Sequence, residues 1–315
     1  MRRATRTLSM RSLLAPLIAL SLSGCVGLGP AHIGAVKLAA GDGAITIGSF
    51  SFPESVLLAE IYAQALGSKG FRVKRAFDLG PRELVEPALE RGLVEFVPEY
   101  LGSSLELLTR GSAPVSSDPQ TTRARLVDAF NGRGIAVLGS APAEDANAIV
   151  VTAQTAAELH LEKISDLFPV AGQLVFGGPP ECPSRPLCLP GLERTYGLHF
   201  KRFQGLDASG PLTVSELEAG EIDVALLFTT DGEIRARGFV ELADDRGLQP
   251  AENVTPVVRG DVIAEYGGRL RLVVDAVSAR LNTEALAHLN GLVSRGETPA
   301  DVALAWLRSN GLVPR

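Results

Sequence analysis

From Ala44 to Ser309, short apolar runs alternate with segments of helical period, and this alternation constrains the fold more than any other property of the chain. Ala44–Gly48, Phe71–Phe77 and Val94–Val97 read as strands. Between them Leu57, Leu58, Ile61, Tyr62, Ala65 and Leu66 recur at the spacing of one helix face. Ser51-Phe-Pro-Glu54 has the form of a capping box opening that helix, and Gly67 and Gly70 predict its end. Leu84, Val85, Ala88 and Leu89 mark a second helix, which Pro87 weakens unless it sits in the first turn. After a loop at Gly111–Gln120 come a helix over Thr122–Phe130 and a strand at Ile135–Leu138. A second series follows: strand Ala148–Val151, a helix near Ala156–Phe168, strand Gln173–Phe176, a helix after Pro190 and a strand near His199–Phe203. Thr213-Val-Ser-Glu216 is another capping box, opening a helix that Gly220 stops, and the continuous apolar run Val224–Phe228 fits a fully buried strand. Strands at Phe239–Leu242 and Val254–Val258 and helices over Leu270–Ala279, Thr283–Val293 and Pro299–Ser309 complete the pattern. Such alternation argues for an α/β protein, each of two lobes a mostly parallel sheet flanked by helices.

At 315 residues, 46% of them hydrophobic, the chain has material for two domains or one large α/β unit. Its first 24 residues carry Arg2, Arg3, Arg6 and Arg11 ahead of the apolar stretch Leu13–Leu22, the arrangement of a secretory signal. That stretch, about ten residues long, is too short to span a bilayer, which takes roughly 20. Leu22-Ser23-Gly24-Cys25 resembles the bacterial lipobox, which implies cleavage before Cys25 and a diacylglycerol on its sulfur. Residues 1–25 are then a lipoprotein signal peptide and 26–43 a tether rich in Gly and Ala, holding an extracytoplasmic protein to the cell membrane through Cys25. Removing the four arginines from the 30 basic residues leaves 26 against 36 acidic ones. So acidic a chain is a poor partner for nucleic acid, whose phosphates demand a basic face.

With Cys25 lipidated, Cys182 and Cys188 remain, six positions apart in the Pro-rich loop Glu181-Cys-Pro-Ser-Arg-Pro-Leu-Cys188. Outside the cytoplasm such a pair predicts a disulfide, with free thiols and a metal or redox pair as the alternatives. No motif of a serine hydrolase, a P-loop or a zinc protease occurs, and no spacing singles out an acid/base pair. His32, His160, His199 and His288 are scattered, and His199 beside Phe200 reads as a strand-edge residue. The sequence therefore calls for no catalytic residue, cofactor or metal, and favours capture of a small ligand between two lobes.

Four segments, in order, resemble the substrate-binding proteins of osmoprotectant ABC importers, those for glycine betaine, carnitine and choline. They are Ile47-Gly-Ser-Phe-Ser-Phe-Pro-Glu54, Pro98-Glu-Tyr-Leu-Gly-Ser103, Phe228-Thr-Thr-Asp-Gly232 and Leu242-Ala-Asp-Asp245. The resemblance covers Ala44–Arg259 and implies a type II periplasmic-binding fold with the ligand in an interlobe cleft. It places lobe 1 at 44–142 and 246–315 and lobe 2 at 143–245. It also implies an ABC permease and an ATPase as partners.

A quaternary ammonium has no hydrogen to donate, so aromatic faces must hold it, while a ligand carboxylate needs an arginine, hydroxyls or a helix N-terminus. The resemblance makes Tyr100 a cage tyrosine with Ser103 as its nearby hydroxyl. It makes Asp145 an acid at the cage, Arg185 the carboxylate-holding arginine, and Phe228 the occupant of another cage tyrosine's place. Asn147 and Thr213 stand where the family places two more tyrosines, Phe50 replaces a lysine, and Pro81-Arg82 replace small hydroxyl residues. Tyr62, Tyr196 and Tyr266 match no cage position. If each lost ring forfeits roughly 0.5–2 kcal/mol, two weaken trimethylammonium binding by about tenfold to 1,000-fold. Phe50 or Phe52 could compensate, or Asn147, Thr213 and Asp145 could favour a more polar amine or amino-acid-like ligand. An extracytoplasmic enzyme on the same fold would have to draw on Cys182, Cys188 or Asp145, and a signalling lipoprotein would hand its ligand to a sensor rather than a permease.

Overall fold

The computed structural model describes residues 43–114 and 116–314. Cys25 and the expected signal and tether lie outside the described residues, apart from Gly43. Among these residues ten strands form two five-stranded sheets. The first contains β1 (Ala44–Gly48), β2 (Arg72–Ala76), β3 (Phe96–Tyr100), β4 (Ile135–Val137) and β10 (Val254–Arg259), in the order β2-β1-β3-β10-β4. The second contains β5 (Asn147–Val151), β6 (Val175–Gly178), β7 (Arg202–Gly205), β8 (Val224–Phe228) and β9 (Val240–Leu242), in the order β7-β6-β8-β5-β9. In each, four strands run one way and one runs against them, β10 in the first and β5 in the second. The reversed strand is in both cases the one the chain enters after crossing from the other lobe. This is the two-lobed α/β architecture of the type II periplasmic-binding fold, with mixed sheets.

Helices α1 (Pro53–Ser68), α2 (Arg82–Glu90), α3 (Leu101–Thr109) and α4 (Pro119–Phe130) belong to the first lobe. Helices α5 (Ala153–Leu159), α6 (Leu189–Tyr196), α7 (Pro211–Ala219) and α8 (Gly232–Ala236) belong to the second. Helices α9 (Gly260–Ser278), α10 (Thr283–Ser294) and α11 (Pro299–Ser309) return to the first core, where α11 packs along α1. That docking explains why α1 is buried beyond its one apolar face: Ala59 and Ala63 are as inaccessible as Leu57, Leu58, Ile61 and Leu66. Each large side chain so buried contributes about 1.5–3 kcal/mol. Tyr62 lies in the same core with its hydroxyl 2.9 Å from that of Ser278.

Several local expectations give way to tertiary partners. Ser51 is not the N-cap of α1; Phe52 holds that place with no side-chain cap, and Glu54 turns toward the junction of the lobes. Helix α7 likewise starts before Thr213, at Pro211, and Asp207 accepts the N–H groups of Leu212 (3.0 Å) and Thr213 (2.8 Å). Its end at Gly220 is as the sequence predicts, in the left-handed conformation. Pro87 is the sixth residue of α2, past the first turn, and the helix ends three residues later. The expected helix near Ala156–Phe168 breaks at His160, whose φ of 54° is left-handed, and resumes only as a 3-10 turn at Ile164–Leu167. Because β7 starts at Arg202, His199 lies exposed in the preceding turn, 3.6 Å from Glu193. Helix α9 begins ten residues ahead of Leu270 and is broken at Gly267 (φ 50°).

Strand β3 runs on through Pro98 to Tyr100, past the expected end at Val97. A proline inside a sheet forfeits a ladder bond unless its neighbour asks for none. Pro98 lies opposite Pro256 of β10, whose carbonyl instead accepts the Leu138 N–H on its other side (2.9 Å). Pro256 therefore asks no donor of the proline it faces. Helix α3, which nothing local foretells, starts at the very next residue, Leu101.

Candidate ligand-binding site

The two crossovers run side by side: Ala141 N–H donates to Val254 O (2.8 Å), Val254 N–H to Ala143 O (3.0 Å) and Asp145 N–H to Glu252 O (3.1 Å). Beside this strip lies a cavity of about 340 Å³ to which both lobes contribute. Of the residues singled out by sequence, Phe50, Tyr100, Ser103, Asp145, Asn147, Arg185 and Phe228 line it. Thr213 does not. It is fully buried, and its hydroxyl donates to Asp207 O and Oδ1 at 2.8 Å, so it belongs to the helix cap.

The first lobe brings three rings. Phe50 and Phe52 follow β1, stacked with centroids 5.9 Å apart, and Tyr100 ends β3. Phe52 also lies 6.1 Å from Tyr100 and 5.2 Å from Phe228, the last residue of β8 in the second lobe. Phe52 is thus the ring through which the aromatic wall continues from one lobe to the other. Phe50 is backed by Arg82, whose guanidinium sits 4.8 Å from the ring centroid.

The polar lining is largely bound to itself. Arg82 pairs with buried Glu99 (3.0 Å). Arg185, carried on the loop closed by the Cys182–Cys188 disulfide, grips Glu83 of the opposite lobe with two hydrogen bonds of 3.0 and 2.8 Å. Against the burial that pushes it up, the Arg185 guanidinium holds the Glu83 carboxyl below its ordinary range. Ser103 donates its hydroxyl to Glu252 (2.6 Å), which also accepts the N–H groups of Gly102 and Ser103 at the start of α3. Burial pushes the Glu252 carboxyl up to about 7 despite these donors. Asn147 donates its amide N–H to Leu187 O (3.3 Å) and Gln249 Oε1 (3.1 Å), tying β5 to the disulfide loop and the second crossover.

At the back of the cavity Tyr100 donates to Glu54 (2.6 Å), and Thr230 lies between Glu54 (2.5 Å) and Asp145 (2.8 Å). Asn290 of α10 completes this knot with an N–H to Glu54 (2.5 Å). Burial raises both acids above their ordinary range, and the Glu54 charge raises Asp145 further. Burial, with the charge of these two acids, also raises the Tyr100 phenol, keeping it a hydrogen-bond donor.

Among the described residues, six acids line the cavity (Glu83, Glu106, Asp145, Glu181, Asp207 and Glu252) against two arginines, each already ion-paired. A cation meets π-faces and carboxyl oxygens there. An anion meets arginines whose charge is already answered. Sequence reasoning missed Glu54, Glu83, Glu252, Thr230 and Asn290 as parts of this site. Thr230 and Glu54 stand inside the quoted motifs and could have been found there; Glu252 and Asn290 carry no local signal. The remaining motif residues brace the site. Asp231 caps α8 through the Glu233 N–H (2.9 Å), and Asp244 accepts the N–H groups of Leu248 (3.0 Å) and Gln249 (2.8 Å) and the Tyr196 hydroxyl. Tyr266 donates to Gly43 O (2.8 Å), away from the cleft.

A glycine-betaine-binding protein of Pseudomonas aeruginosa is 27% identical over 279 residues, covering 85% of this chain and 88% of that protein. The ergothioneine transport permease/ergothioneine binding protein EgtU of Helicobacter pylori is 26% identical over 261 residues, covering 82% of this chain; the match spans only 46% of that longer protein. The crystal structure of a glycine betaine/carnitine/choline ABC transporter protein, 22% identical, superposes with a TM-score of 0.68 over 85% of this chain and 99% of that one. Residues 43–309 match the family described as the substrate binding domain of ABC-type glycine betaine transport systems, and the chain belongs to that family.

Proposed function

We propose that this protein captures a small quaternary-ammonium solute, a betaine or a choline-like cation, between its lobes and delivers it to an ABC permease driven by an ATPase. The observation that carries the reading is the junction of Phe52 with Tyr100 and Phe228, a π-wall drawn from both lobes inside an acid-lined cavity. Cation–π attraction supplies the affinity that a trimethylammonium cannot gain from hydrogen bonds. A zwitterion's carboxylate would take the place of Glu83 on Arg185, exchanging an internal ion pair for one with the ligand. The names of the relatives fit such a solute: glycine betaine for one, ergothioneine, itself a trimethylammonium betaine, for another. The lipobox-like segment adds the expectation of an extracytoplasmic protein anchored at Cys25.

Of the groups an enzymatic role would draw on, Cys182 and Cys188 are bonded to each other, which leaves Asp145 alone in the cavity. Calorimetric titration with glycine betaine, choline, carnitine, ergothioneine and a primary amine tests the reading. We expect saturable binding of at least one trimethylammonium compound, weakened about tenfold or more in Phe52→Ala, which removes the ring that touches three others. Binding of the primary amine alone favours the more polar ligand class, and no binding across the panel contradicts capture of this class of solute.

A further inference from the structure

The knot at the junction of the lobes is short of one hydrogen. The Thr230 hydroxyl lies 2.5 Å from Glu54 Oε2 and 2.8 Å from Asp145 Oδ1, yet a hydroxyl carries a single proton to donate. The same hydroxyl thus bridges two carboxyls, and carboxylates have no donor of their own to place between them. The other donors are already placed. Tyr100 donates to Glu54 Oε1, Asn290 to Glu54 Oε2 and to the Thr230 hydroxyl (3.1 Å), and the Thr230 N–H (3.0 Å) and the Thr229 hydroxyl (3.3 Å) to Asp145 Oδ1. A proton held between the two acids would supply the hydrogen that the second Thr230 contact lacks. Both are almost fully buried, Glu54 at 4% exposure and Asp145 at 6%.

The position of the pair links it to ligand. Glu54 sits in the first turn of α1 and Asp145 on the first crossover; Thr230 follows β8 in the second lobe. Asp145 and Tyr100 both line the ligand cavity, so a cation stacked on Tyr100 lies beside the pair. We propose that Glu54 and Asp145 share one proton in the ligand-free protein and that a cation seated on the aromatic wall expels it, coupling solute capture to proton release where the lobes meet. This inference rests on the cation reading above.

The groups around the pair do not relieve its charge in advance. Arg82 from α2 is committed to Glu99, and Glu252 on the second crossover is itself an acid. From α8, Asp231, Glu233 and Arg237 share a second cavity with Glu54, and Arg237 pairs with Glu233 and Glu218. Tyr100 donates without ionising. A bound cation is therefore the positive charge that lowers the proton affinity of the pair. Between the titration points of the free and liganded states, binding then releases up to one proton, and affinity rises by at most about tenfold per pH unit.

The test is a titration of the full chain with choline chloride over a pH series, in buffers of contrasting ionisation enthalpy, alongside the infrared carboxyl band of the ligand-free protein. We expect a protonated-carboxyl band at neutral pH, to which Glu252 also contributes, with a component that choline removes, proton release on binding, and affinity that grows with pH. Glu54→Gln and Asp145→Asn should each abolish the component of the band that choline removes and reduce the pH dependence, leaving the Glu252 contribution in place; the wild-type measurements stand alone if either variant fails to fold. Absence of the band, or saturable binding without proton release, overturns the coupling and leaves the cation reading intact. No saturable binding at any pH overturns the cation reading and the coupling together, whatever the band shows.

Discussion

Phe52 touches Phe50, Tyr100 and Phe228 at once, whereas Tyr100 contributes both a ring and a hydroxyl bound to Glu54. Two substitutions separate those roles. Tyr100→Ala should cost ~0.5–2 kcal/mol of cation affinity, a loss of about twofold to thirtyfold. Tyr100→Phe keeps the π-face and most of the affinity, while losing about 1 kcal/mol of stability with the hydrogen bond. Calorimetry of both variants, with a denaturant melt of the second, checks the division. That Phe50, Tyr100 and Phe228 face the cavity was legible because each stands in a short motif at a strand end, where a side chain can reach a cleft. Thr213 was misjudged because a hydroxyl near a helix start can face a ligand or cap the helix. Only Asp207, folded back against it, decides between the two.

At the scale of elements, strands and long helices followed from apolar period, whereas α3 did not. Its first turn contains Gly102, a residue that normally argues against a helix, and its cap comes from Glu252, 150 positions away. Gly102 is required by proximity: a Cβ there would lie 2.1 Å from Pro250 Cγ and 3.0 Å from Ala251 O. Gly102→Ala should therefore push α3 off the second crossover and destabilise the protein by about 1–3 kcal/mol, measurable as a lower denaturation midpoint. An unchanged midpoint would mean that the crossover yields freely. The disulfide acts on the same scale. It closes a loop of sequence separation 6 and fixes the segment that carries Arg185 to Glu83. That ion pair is partly exposed, and its contribution to stability is at most about 1 kcal/mol; its consequence is for where a ligand carboxylate can go.

Across the whole molecule, two lobes and their alternation were readable from the sequence, but the reversed strand in each sheet was not. Direction depends on which lobe the chain arrives from, and no five-residue run records that. Nor does composition reveal where acids are buried. Glu54, Glu86, Glu99, Asp145 and Glu252 all lie in the interior with carboxyls raised, in each case mainly by burial. The sign of the consequence follows from proton binding. Glu252 goes from an ordinary value of 4.5 to about 7 on folding, so through that window the folded state holds more protons than the unfolded one. Stability is then fullest below the lower value and declines as pH rises through the upper one. We expect the Tm to be higher near pH 5 than near pH 8, as followed by calorimetry, and a Tm that rises over this interval would contradict the upward shift of the Glu252 carboxyl.

The central claim, that a cation rests on a ring wall shared by both lobes, is tested most directly by a crystal structure grown with saturating choline. The expected result places the trimethylammonium group within about 6 Å of the Phe52, Tyr100 and Phe228 centroids, with Asp145 alongside. Choline seated away from these rings, or a cavity that stays unoccupied at saturation, would contradict it.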